Sequence, residues 1–85
     1  MSISKEFEFR AWLSDQGRWS KKAQNDLVSR LRRADKLTPI QTATSTSQYV
    51  ASLEASTVWQ SIPRASQTGM LAASRLYLDW LRTQS

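Results

Sequence analysis

Only two glycines and two prolines interrupt these 85 residues. Gly17, Pro39, Pro63 and Gly69 leave stretches too long and too poor in turn residues for a fold of many short strands. Each stretch carries apolar residues at helical spacing. A first helix is predicted over about 5–16, built on Phe7, Phe9, Ala11, Trp12 and Leu13, with Ile3 one turn before Phe7. Gly17 is placed to end it, because glycine enters the left-handed conformation without steric penalty.

Ser20 reads as the cap of a second helix over about 20–37, its hydroxyl accepting an orphan amide. Ala23, Leu27, Leu31 and Ala34 recur at helical spacing, Val28 widens the stripe and Leu37 ends it. Thr38-Pro39 stops this helix, since proline disfavours helical backbone in the residue before it. Ser45 with Gln48 three residues on fits a capping box, and predicts a third helix over about 46–60. Its inward positions are Tyr49 or Val50, Leu53, Thr57 and Val58, with Trp59 near the end. Pro63 suits the first turn of a fourth helix over about 64–82. There Met70, Leu71, Ser74, Tyr77, Leu78 and Leu81 form one stripe, extended by Ala73, Leu76 and Trp80. The expectation is one all-α bundle of four helices spanning 1–85.

Charge is concentrated in one place. Arg18, Lys21, Lys22, Arg30, Arg32, Arg33 and Lys36 fall in one stretch with only Asp26 and Asp35. The rest of the chain has as many acids as bases, so this stretch holds the whole net charge of +5. On the second helix Lys22, Arg32, Arg33 and Lys36 lie opposite the apolar stripe, together with Asn25 and Ser29. A localised basic stripe is what a polyanion-binding face requires.

The chain has no histidine and no cysteine. It therefore lacks the usual general base, the commonest metal ligand, any thiol nucleophile and any disulfide. No catalytic or metal site and no cofactor is expected. Glu6 and Glu8 stand two apart on a helix and do not aim at one point. No apolar run approaches the length of a membrane helix, the first ten residues are not a secretory signal, and a cysteine-free chain fits a reducing cytoplasm. Trp12, Trp59 and Trp80 sit at core spacing. Trp19, beside Arg18 and Lys21 in a turn, is read as stapling the start of the second helix rather than touching a sugar-phosphate.

The order of these features carries a resemblance. Phe9-Arg10-Ala11-Trp12-Leu13 precedes a glycine turn, and a capped basic helix follows, ending Leu31-Arg32-Arg33-Ala34. Tyr49-Val50-Ala51-Ser52-Leu53 and Ser74-Arg75-Leu76-Tyr77-Leu78-Asp79-Trp80-Leu81 come after. From about Phe7 to Leu81 the pattern resembles the N-terminal SAM-like core-binding domain of phage integrases and other tyrosine recombinases. It departs at Ala23 and Leu27, where the family often has Thr and Tyr. The resemblance implies a small helical domain that clamps double-stranded DNA opposite a catalytic domain. By position it points to Lys21, Lys22, Asn25, Ser29, Arg32, Arg33 and Lys36 on the second helix. On the start of the fourth it points to Arg64, Ser66, Gln67 and Thr68, with Arg75 a turn or two further along. The family's catalytic Arg, Lys, His and Tyr belong to a separate domain, and Tyr49 and Tyr77 here stand at core spacings. A recombinase- or nuclease-type catalytic domain is accordingly expected beyond Ser85.

The residue chemistry agrees without the family. Lys21 and Lys22 occupy a first helical turn, which the macrodipole makes unfavourable for cations unless an anion joins them. Arg18 and Lys36 extend the cationic stretch at its ends. Arg32 and Arg33 offer planar forks for phosphate or guanine edges, and Asn25 and Gln67 have the donor–acceptor pair that reads adenine. The alternative expectation is a helical protein–protein adaptor whose basic helix docks an acidic partner.

Overall fold

The structure, a computed structural model, describes residues 5–84. Ile3 and Ser85 lie outside the described residues. The helices are α1 (Glu6–Gln16), α2 (Lys21–Leu37), α3 (Thr46–Ala55) and α4 (Arg64–Thr83), with short 3-10 turns at Ile40–Thr42 and Trp59–Ser61. Among the described residues there is no strand, so the chain is an all-α bundle of four helices.

Local chemistry sets most boundaries. Gly17 stops α1 at φ 67°, its N–H donating to the Ser14 carbonyl at 3.2 Å. The Ser20 hydroxyl accepts the Ala23 N–H at 3.2 Å and caps α2. Thr38, extended before Pro39, closes the other end of α2. Asp35 then accepts the Ile40 N–H at 2.9 Å, and the Tyr49 hydroxyl donates to the Thr38 carbonyl at 2.8 Å, which fixes the corner. Ser45 caps α3 by accepting the Gln48 N–H. The return arm of the box reaches one residue further back, since Gln48 Oε1 accepts from the Thr44 N–H at 3.0 Å.

The third helix is shorter than its sequence pattern predicts. It ends at Ala55 instead of running to residue 60, and Thr57 and Val58, expected inward, are exposed. Ser56, Thr57 and Val58 are poor helix formers in a row. Trp59, in the turn that follows, is still buried.

α2 packs most extensively on α4. The core takes Phe9 and Leu13 from α1 and Val28, Leu31 and Ala34 from α2. Tyr49 and Leu53 come from α3, and Met70, Ala73, Tyr77, Leu78 and Trp80 from α4. Phe9 is the hub of an aromatic cluster: its ring meets Tyr77 edge-on at 5.1 Å, Trp80 at 5.4 Å and Trp12 at 5.9 Å. Trp19 is half-buried and packs on Trp12 at 6.1 Å, so it fastens the turn before α2 onto the core. The Arg18 guanidinium lies 4.8 Å over the Trp19 ring.

α1 runs antiparallel to α2 along a ladder of polar contacts. Glu6 meets Arg32, Arg10 meets Asn25 and Ser14 meets Gln24. Gly69 has a separate purpose. A Cβ there would stand 2.9 Å from Arg30 Nε, so the bare backbone of α4 is what lets the Arg30 side chain lie across it.

Candidate functional site

The cap at Ser20 fixes the rotational phase of α2. With Val28, Leu31 and Ala34 turned to the core, Lys22, Ser29, Arg33 and Lys36 form the ridge farthest from it, and all four are exposed. Lys21 is exposed on the α1 side of the helix, off this ridge, and Arg18 stands in the turn just before the helix. Ion pairs among the described residues join Arg10 and Arg32 to Glu6, and Arg82 to Asp79. Six of the seven cations between Arg18 and Lys36 therefore have no acidic partner there. The first turn of α2 holds no acid, and the cap occupies the Ala23 N–H. The amides of Lys21 and Lys22 are among those a helix start leaves unsatisfied. They add to a region of positive potential that two lysine side chains already reinforce.

Two of the sequence-predicted residues face α1 instead. Arg32 grips Glu6 with a two-point fork, Nε to Oε1 at 2.7 Å and Nη2 to Oε2 at 2.6 Å. Its guanidinium is thus engaged in holding two helices together. Asn25 Oδ1 accepts from Arg10 Nη1 at 2.8 Å, so its carbonyl is not free to pair with adenine. The Arg32 hydrogen bonds, against partial burial and helped by the charges of Arg32 and Arg10, hold the Glu6 carboxyl below its usual range. The contribution this pairing makes to stability is present above the ordinary carboxylate pKa and is lost as pH falls through the lowered one. In a series of thermal melts at decreasing pH, Glu6→Gln is expected to be less stable than the wild type near neutrality and to converge with it in acid. Parallel curves would show that this ion pair carries no pH-dependent stability.

The start of α4 divides in the same way. Gln67 is half-buried and donates through Nε2 to the Trp59 carbonyl at 2.7 Å, which pins the Trp59–Ser61 turn to α4. Its donor is committed to the fold, not offered to a base edge. Thr68 Oγ1 donates back to the Arg64 carbonyl, and Ser66 is half-buried. Arg64, Thr68 and Arg75 are exposed on a ridge of α4's own. They lie about 100–140° around the helix from Gly69, where Arg30 crosses. The twelve predicted residues thus fall into an α2 ridge with its preceding turn, Lys21 and a pair tied to α1 on the α1 side, and a group on α4 of which Gln67 faces inward.

Two residues escaped the sequence reading. Arg30 reaches from the basic stretch to α4, and the signal for it was the glycine placed inside a helix. Phe7 is 82% exposed and, with Arg10, Lys21 and Asn25, lines a shallow groove between α1 and α2. A local signal did mark it as outward: Phe9 and Leu13, four apart, share the buried face, and Phe7 stands two and six residues from them, on the other side of the helix. Tyr49 and Tyr77 are buried, as their spacing predicts, and burial above all raises both hydroxyl pKa values. No cluster of His, Cys, Asp and Glu that would hold a metal ion occurs among the described residues. No helix among them is long and apolar enough to cross a membrane.

No family model matches the chain, and no curated protein or solved structure matches it significantly.

Proposed function

We propose that this chain is a double-stranded DNA-binding module, serving a recombinase- or nuclease-type catalytic domain carried elsewhere in its protein. One observation carries the reading: the whole excess charge lies on one stretch, and six of its seven cations have no acidic partner among the described residues. Lys22, Arg33 and Lys36 meet phosphates, with Lys21, Arg18 and Arg30 at the flanks. Ser29 lies between them on the ridge. Arg32 and Asn25 act behind the ridge by fixing its angle to α1. Arg64 and Thr68 on α4 supply a second, weaker contact. Phosphate contacts dominate this arrangement, so binding tolerates sequence changes.

Affinity alone is expected on the order of 10⁻⁴–10⁻⁶ M at physiological salt. Four to six cations on phosphates give a log–log salt slope of about −4 to −5. The test is a titration of the labelled chain with a short duplex at low salt, followed by NMR. Amide shifts should concentrate on α2 from Lys21 to Lys36 and fade as salt is raised. An unperturbed α2 at low salt would end the proposal.

A further inference from the structure

At the C-terminal end of α2 a second surface combines charge with apolar area. Arg33, Lys36 and Leu37 face Val58, Ile62 and Met70 across an open groove of about 320 Å³. The early end of α3 makes this groove: the turn after Ala55 leaves Val58 51% exposed. Met70 contributes a buried, polarisable floor that adapts to different side chains. Arg33 and Lys36 form the rim, both exposed and without an acidic partner among the described residues.

From this we infer that the groove docks a partner segment that is amphipathic and acidic, with aliphatic side chains over Val58, Ile62 and Met70 and carboxylates on Arg33 and Lys36. Charge complementarity selects this occupant. A nucleic acid backbone satisfies the rim but places nothing apolar on the floor. A basic or neutral apolar peptide fills the floor but leaves the rim unpaired. Docked segments of this kind are read through a few apolar anchors at helical spacing, with charge setting the register.

The inference stands apart from the DNA reading but meets it at Arg33 and Lys36. A segment seated in the groove takes two cations from the α2 ridge, so the partner and DNA weaken each other. The effect is reciprocal, as any coupling between two binding equilibria must be.

The test is selection of a random dodecapeptide display library on the intact chain. Enriched sequences should pair Leu, Ile, Phe or Met with Asp or Glu. Synthesised, they should shift the signals of Leu37, Val58, Ile62 and Met70. Val58→Glu and Lys36→Glu, both at exposed positions, should each weaken them about tenfold or more, the loss of one central contact, with the fold retained and the melting temperature lowered by at most a few degrees. Absence of enrichment, binders without acidic bias, equal binding of scrambled peptides, or indifference to Val58→Glu would each overturn the inference. So would a duplex that shifts Val58 and is weakened by Val58→Glu as strongly as the peptides, since the groove would then belong to the DNA face. Peptide binding in a chain that ignores duplex DNA would leave the groove standing and remove the DNA reading alone.

Discussion

Phe9→Ala is expected to remove a large share of the stability of this fold. The loss of a buried phenylalanine costs about 3–5 kcal/mol, part transfer and part cavity. An 85-residue domain has roughly 4–13 kcal/mol to lose. Phe9 is fully buried, and its ring joins α1 to Tyr77 and Trp80 on α4 and to Trp12 on its own helix. Aromatic pairs of this geometry add about 0.5–1.5 kcal/mol beyond area. α1 has few other anchors, since Leu13 is its only other fully buried residue. The chain has no cysteine and so no cross-link to hold it when that contact goes. Urea denaturation followed by far-UV circular dichroism measures the effect. Phe9→Leu, which keeps most of the volume, should lose much less. A Phe9→Ala variant with a loss under about 1 kcal/mol would mean that the aromatic cluster does not hold α1 to α4, whatever its geometry.

What could be read from the sequence divides by the range of the interaction. Gly17, Ser20 and Ser45 act within a turn of their own position, so the starts of α2 and α3 and the end of α1 were legible residue by residue. The length of α3 was not. Thr57 and Val58 continue the apolar spacing of Leu53, and only their weak helix propensity argues against it. What holds the break open is a distant contact, the Gln67 amide on the Trp59 carbonyl. The basic face was legible as a face, because periodicity alone fixes which side of α2 is wet. Its division was not legible. Arg32 and Arg33 are neighbours with the same side chain, yet one grips Glu6, 26 residues earlier, and the other faces solvent. Phe7 was legible and misread: Phe9 and Leu13, four apart, define the inward face of α1, and a residue two before Phe9 falls on the other side.

That division decides how the ridge should be perturbed. Lys22→Glu, Arg33→Glu and Lys36→Glu together are expected to weaken DNA binding severely and leave the fold intact. The three side chains are exposed and have no acidic partner among the described residues, so no ion pair is broken. Dipole effects within the helix oppose one another. A carboxylate at 22 suits the first turn of α2 and one at 36 is unfavourable in the last, each by about 0.3–1 kcal/mol. The net charge falls from +5 to slightly negative, which relieves repulsion within α2. Each lost phosphate contact should flatten the log–log salt slope by about one, so a slope of about −4 to −5 should shrink by about three. Affinity at low salt should fall on the order of a hundredfold or more, because counterion release contributes up to about tenfold per contact. Arg32→Glu is the contrasting variant. It sets two carboxylates face to face where Glu6 and Arg32 now pair, so it should lower the melting temperature and reach DNA binding only through the angle between α1 and α2. If the triple variant keeps its DNA affinity while Arg32→Glu loses it without unfolding, the recognition surface lies along the α1–α2 seam, where Phe7 and Lys21 stand, and not on the ridge.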